Sequence, residues 1–183
     1  MLNEVCSDVR EEPPLQEITG ENFKLRSANV EKYARLDVSA RGFWIRGQKA
    51  FCDIRVFNPL AKCYRKKTLE AIHQNNEKEK KRVYGQRILE VEHGTFTPLV
   101  FSCFGGMSHE CFKFYQRLAE LIAEKRKINI SETSNYIRTK INFSLIRSML
   151  LCIRGSRSIN NNMITPVLET DIELANVISA INE

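Results

Sequence analysis

Two aspartates placed on either side of one turn constrain this chain more than anything else in it. The stretch from Arg35 to Asn58, RLDVSARGFWIRGQKAFCDIRVFN, reads as two strands, the first carrying Asp37 and the second Asp53. Apolar residues alternate with others on both sides: Leu36, Val38 and Ala40 on the way out, Phe51, Ile54, Val56 and Phe57 on the way back. Gly47, amid Arg46, Gln48 and Lys49, supplies the turn. A hairpin folding about Ile45 or Arg46 puts positions 37 and 53 across from one another, or nearly so. Like charges facing across a ladder are destabilising, so the pair calls for a cation, either a metal or an inward lysine. Arg55 lies two residues after Asp53 and shares its face of the strand. The plain alternative is that Arg55 neutralises Asp53 in a solvated salt bridge worth about 0–1 kcal/mol.

Pro59 stops the second strand, and Lys62 to Lys67 form a basic link into a long helix from about Lys67 to Arg87. At 100° per residue, Leu69, Ile72, His73, Asn76, Val83 and Tyr84 fall along one line of that helix. Lys80 lies near the centre of the same line, whereas Lys78 and Lys81 point away from it. An inward lysine either snorkels, its stem covering apolar surface, or meets a partner at the sheet. Glu77, Lys78, Glu79, Lys81 and Arg82 make a charged solvent face. Arg87 shares the inward line but sits beyond Gly85, where the helix is expected to end.

Two short strands are expected next, Ile88–His93 and Phe96–Phe104, around a turn at Gly94. PLVFSCF is nearly all apolar and reads as a central strand with both faces covered. An amphipathic helix from about Ser108 to Arg126 would bury Phe112, Tyr115, Leu118, Ala119 and Ile122. Another, from about 131 to Arg154, is apolar over most of its circumference and is expected to be the most buried helix, with Gly155 as its C′ residue. At the other end, Leu2, Val5 and Val9 suggest a helix already under way over residues 1–10, as if a natural domain or polyprotein began upstream. Glu11 to Val30 reads as an irregular connection.

With 183 residues, 43% of them hydrophobic, there is enough for one domain with a real core. Residues 1–157 are expected to form it, and 158–183 an acidic tail with a short helix over 167–181. No run approaches the ~18–20 apolar residues that span a bilayer, and MLNEVCSDVREE lacks the apolar centre of a signal peptide; no membrane partner is expected. Six cysteines without paired spacing suit reduced thiols in an intracellular protein. Residues 1–157 hold all 28 Lys and Arg against 18 of the 22 acids, a net charge of +10 where the whole chain has +6. Such a surplus on one domain is the electrostatic footprint of a nucleic-acid binder, although a merely soluble basic protein shares it.

A helix, a strand with Asp, a second strand with Asp, a helix with an inward Lys, then strands and helices: this order resembles the PD-(D/E)XK restriction-like nuclease fold. The closer resemblance is to the endonuclease domain of certain eukaryotic retroelement polyproteins and to transposon-derived proteins. The matching residues are Arg35-Leu36-Asp37-Val38, Cys52-Asp53-Ile54, Lys80 with Tyr84, and Pro98–Phe101 with Gly105-Gly106. Leu36 stands where the motif has proline. Arg55 stands where its simplest form has lysine, and an arginine cannot give up its proton. The resemblance implies that this lysine has migrated to the helix as Lys80.

It also implies an α/β fold, a restriction-endonuclease-like mixed sheet of four to five strands flanked by helices. The implied activity is metal-dependent hydrolysis of phosphodiesters in DNA, in the nucleus, with a reverse transcriptase portion or a separate polymerase as partner. Asp37 and Asp53 would hold Mg²⁺ or Mn²⁺, with a further contact from Glu4 or, failing that, Glu92. Lys80 and Arg55 would complete the catalytic set, and Lys62, Arg65, Lys66 and Lys67 would hold the phosphate backbone. The alternatives are a catalytically inactive nucleic-acid-binding remnant of the same fold and a basic protein-interaction scaffold.

Overall fold

The alternating pattern on either side of Gly47 does produce a hairpin. In the computed structural model, which describes residues 1–154 except Asn22 and Leu25 and only the backbone of Ile153 and Arg154, its strands are Val38–Arg41 (β2) and Lys49–Phe57 (β3). They pair antiparallel about position 45, with Gly47 at a φ of 82° that glycine adopts without a Cβ clash. A short helix, Leu2–Val5 (α1), and strand Ser7–Glu11 (β1) precede them, and β1 pairs antiparallel with β2. After β3 come helix Leu69–Lys80 (α2), a wider π-helical turn over Lys81–Gly85, and Gln86–Glu90 (α3). Strand Thr95–Ser102 (β4) then pairs parallel with β3. Two helices close the described chain, His109–Arg126 (α4) and Ile130–Arg154 (α5). The result is a four-stranded mixed sheet in the order β1-β2-β3-β4, flanked by helices. A parallel neighbour demands a crossover, and residues 69–90 provide it.

Successive side chains of β3 leave on opposite faces. Ala50, Cys52 and Ile54 enter the largest core with Val38, Leu99, Phe101 and the buried side of α4 (Phe114, Leu118, Ala119, Ile122). Phe51 and Phe57 point the other way, toward α3 and α2, in two smaller clusters. None of the helices among the described residues is long and apolar enough to cross a membrane.

Several expectations are corrected. ILEVEH is no strand: the helix runs on past Gly85 to Glu90, because the side chains of Arg87 and Ile88 are wholly buried at 0% exposure and hold it down. The turn that follows passes so close to β3 that a Cβ on Gly94 would sit 2.8 Å from the Lys49 carbonyl. The apolar strand β4 ends the sheet instead of lying at its centre. Its burial comes from helices on both faces and from residues 105–108, whose backbone covers the free edge through hydrogen bonds from Ser102 N to Gly106 O and from Ser108 N to Val100 O. Pro98 is the sign of this, since a residue without an N–H is confined to edges. Residues 1–10 are helical only over α1, and the chain from Ser7 onward forms β1. In α4 it is Phe114 that is buried, and Phe112 is exposed. Helix α5 buries one line, Ile137, Ile141 and Leu145, while Phe143 is 68% exposed, so it is not the most buried helix. The expected role of Gly155 and the acidic segment 158–183 lie outside the described residues.

Candidate active site

The pairing of Val38 with Cys52 and of Ser39 with Phe51 fixes the hairpin register. Carried one residue outward, it brings Asp37, at the entry to β2, opposite Asp53. Both carboxylates lie on the Phe51 face, beneath α2. On that face the apolar contacts fall into two separate groups. Phe51, Leu36, Ile88 and Tyr84 pack at one end, and Phe57, Ile72 and Val100 at the other. Asp53 and Arg55 occupy the gap between them, where a helix on a sheet would ordinarily continue its apolar contact.

Lys80, the last residue of α2, fills the gap from above. Its Nζ lies 2.5 Å from Asp53 Oδ2, the lysine side chain being 22% exposed and the aspartate 8%. The ammonium is also 5.9 Å from the centre of the Tyr84 ring, within the range of cation–π attraction. Lys81, one residue on, is 46% exposed and faces Glu110. Arg55 shares the face of Asp53 as expected, but its guanidinium is held at 2.8 Å by Glu79. Asp37 Oδ2 accepts the backbone N–H of Ile54.

Burial and the neighbouring charge of Asp53 push the Asp37 carboxyl up to about 6, against the pull of the Ile54 amide and Lys80. Burial also raises Asp53, opposed chiefly by the Lys80 ammonium. A half-buried acid and a buried one thus face one ammonium, leaving one negative charge uncompensated when both are ionised. That is an arrangement a cation relieves. The donors are hard carboxylate oxygens, which fit Mg²⁺ or Mn²⁺. No group of three or more His, Cys, Asp or Glu suited to a metal is gathered among the described residues, so a metal here would have two protein ligands and water for the rest. Mg²⁺ accepts such a shell. A structural zinc site, with four protein ligands, does not fit.

The other anticipated ligands are elsewhere. Glu4 follows Met1 and Leu2, which are buried in the core on the α4 face. Its carboxylate is forked by Arg126 at 2.5 and 2.8 Å, and that guanidinium lowers its pKa. The sheet stands between it and Asp53. Glu92 lies past the end of α3 and accepts from the amide and side chain of Gln16. Lys62, Arg65, Lys66 and Lys67 are exposed on the link into α2, around a 3₁₀ turn over Lys62–Tyr64.

One residue to which the sequence assigns no role braces the chain that leads into the site. Arg87 is wholly buried and donates to the carbonyl oxygens of Gln16, Asn29 and Glu31. It thereby fixes the irregular chain leading to Asp37, which Asn29 N also ties to Val83 O. Its place on the line of Lys80 was the available signal. Comparison of the chain with protein-family models, with curated proteins and with solved structures returns no match.

Proposed function

We propose that this protein is a metal-dependent DNA endonuclease of the restriction-like class, of retroelement origin and acting in the nucleus. The observation that carries the reading is the facing pair Asp37 and Asp53 with Lys80 lodged against it, between the two apolar clusters on that face of the sheet. Asp37 and Asp53 would be the ligands of Mg²⁺ or Mn²⁺. When bound, the ion supplies a more acidic water and neutralises charge on the scissile phosphate. Lys80 reaches the same place from α2, where an ammonium can orient a water or face the phosphate oxygens. Arg55, tied to Glu79, steadies Asp53 electrostatically. The exposed cations Lys62, Arg65, Lys66 and Lys67 hold the DNA backbone, an attraction that weakens as salt rises. A reverse transcriptase portion or a separate polymerase is the partner this chemistry would serve.

The test is nicking of supercoiled plasmid in Mg²⁺ or Mn²⁺. Cutting by the parent, abolished by chelation and by Asp53→Ala, supports the reading. Equal cutting by Asp53→Ala would discard it. A second reading, an inactive DNA-binding remnant, is favoured by one observation: Lys80 forms an ion pair with Asp53 and can itself neutralise that carboxylate. Salt-sensitive retention on DNA with no nicking under any divalent cation is the result it requires.

A further inference from the structure

The Lys80 ammonium lies against Asp53 Oδ2, an oxygen of one of the two carboxylates that would hold a metal. We infer that Lys80 is the resident cation of this site, and that a divalent ion can occupy the Asp37–Asp53 pair only by displacing it from Asp53 Oδ2. The inference rests on the metal-site reading above and adds what holds the metal-free site together and how it exchanges. Three observations carry it. The Lys80–Asp53 contact is close, 2.5 Å, and the carboxylate is nearly sealed from water, so there is little solvent to screen two cations sharing one oxygen. Arg55 cannot take over the role, since Glu79 engages it at 2.8 Å. Finally, Lys80 has somewhere to go. It is the last residue before the wider turn over Lys81–Gly85, its side chain is partly exposed, and the Tyr84 ring lies 5.9 Å away as a second resting place for the ammonium.

Displacement moves a positive charge off a carboxylate and toward the mouth of the site. There it faces the phosphate of an incoming strand. Metal binding and the pre-positioning of Lys80 for substrate would thus be one event, and apparent metal affinity would be lowered by the strength of the ion pair that must first open.

Titration calorimetry with Mn²⁺ alone, without DNA, tests this on the full chain. Lys80→Met and Lys80→Gln should each bind Mn²⁺ at least tenfold more tightly than the parent, with Asp53→Asn abolishing binding. Gln keeps a polar side chain of similar reach, so it guards against Met failing to fold; a melting curve for each variant checks this. A structure of the parent with Mn²⁺ bound should show Nζ withdrawn from Oδ2. Binding in the parent that is unchanged or weakened in both variants overturns this inference and leaves the metal site standing. So does a Mn²⁺ structure with the ion pair intact. Absence of binding in parent and variants alike overturns the metal-site reading, and this inference falls with it.

Discussion

The two faces of β3 come from one run of nine residues and are built on opposite terms. One face, Ala50, Cys52 and Ile54 with Val56 beside them, is apolar along its length and joins a single continuous core under α4. The other runs Lys49, Phe51, Asp53, Arg55 and Phe57, with two charges set between its phenylalanines. Interrupting a helix–sheet contact with charge forfeits apolar burial and adds desolvation cost. A chain optimised only for stability would place leucine or valine there. The first face therefore explains why the domain folds, and the second holds the residues whose presence folding does not explain.

Breaking the apolar face should have the largest effect on stability. Ile54→Ala leaves a cavity in the main core and should cost about 2–5 kcal/mol in denaturant unfolding. Under 1 kcal/mol would mean that this face is not where the stability lies. Arg87→Ala comes next. It strips three carbonyls, those of Gln16, Asn29 and Glu31, of a buried charged donor, a loss of about 2–4 kcal/mol. Hydrogen exchange should then rise in residues 16–31 before it rises in β3. Uniform exchange across the domain would show that Arg87 supports the whole fold and not that segment.

The contrast between the faces also decided what could be read from sequence. The hairpin register was legible because period-2 alternation and Gly47 leave few ways to pair the strands, and that register alone puts Asp37 across from Asp53. Lys80 was legible from helical phase. Arg87 lies on the same line, but Gly85 reads as a stop before it, and nothing local reveals that a π-helical turn carries the helix through it. Nor did composition distinguish α5 from a buried helix, since its exposed Phe143, Ile146 and Leu150 are as apolar as its core positions. The face occupied by Glu4 depends on α1 packing against α4, a long-range contact that periodicity does not contain.

pH sharpens the comparison, because only the charged face titrates in the acid range. Asp37 is near 3.8 unfolded and about 6 folded. An acid raised on folding binds more protons in the native state. Its contribution is therefore full below about pH 4 and is lost as pH rises through 6. Asp53 is raised too and acts in the same direction. Asp37→Asn should remove part of that loss, making the protein more stable than the parent above pH 6 by of order 2 kcal/mol and no more stable near pH 4. Urea midpoints measured from pH 4 to 8 check this, and parallel curves for the two proteins would refute it. Saturating Mg²⁺, which favours the ionised pair, should flatten the parent's fall.

The smallest stability effect is the one that separates neighbouring lysines on α2 and the turn after it. Lys81 is nearly half exposed, and its ion pair with Glu110 spans 3.3 Å. Such pairs contribute about 0–1 kcal/mol, so Lys81→Ala should be almost silent in unfolding and should cut DNA at the parent's rate. Lys80→Ala removes an ammonium from a carboxylate that is 8% exposed. It should retain DNA on a column with the parent's salt dependence while losing metal-dependent nicking, even though its metal affinity is expected to rise. Tighter metal and no cutting would place the function of Lys80 after metal entry, at the water or the phosphate. If both alanine variants cut alike, Lys80 serves only to neutralise Asp53. Only if neither the variants nor the parent cut would the charged face of β3 be a costly ion pair rather than an active site, and the inactive DNA-binding remnant the better description of the protein.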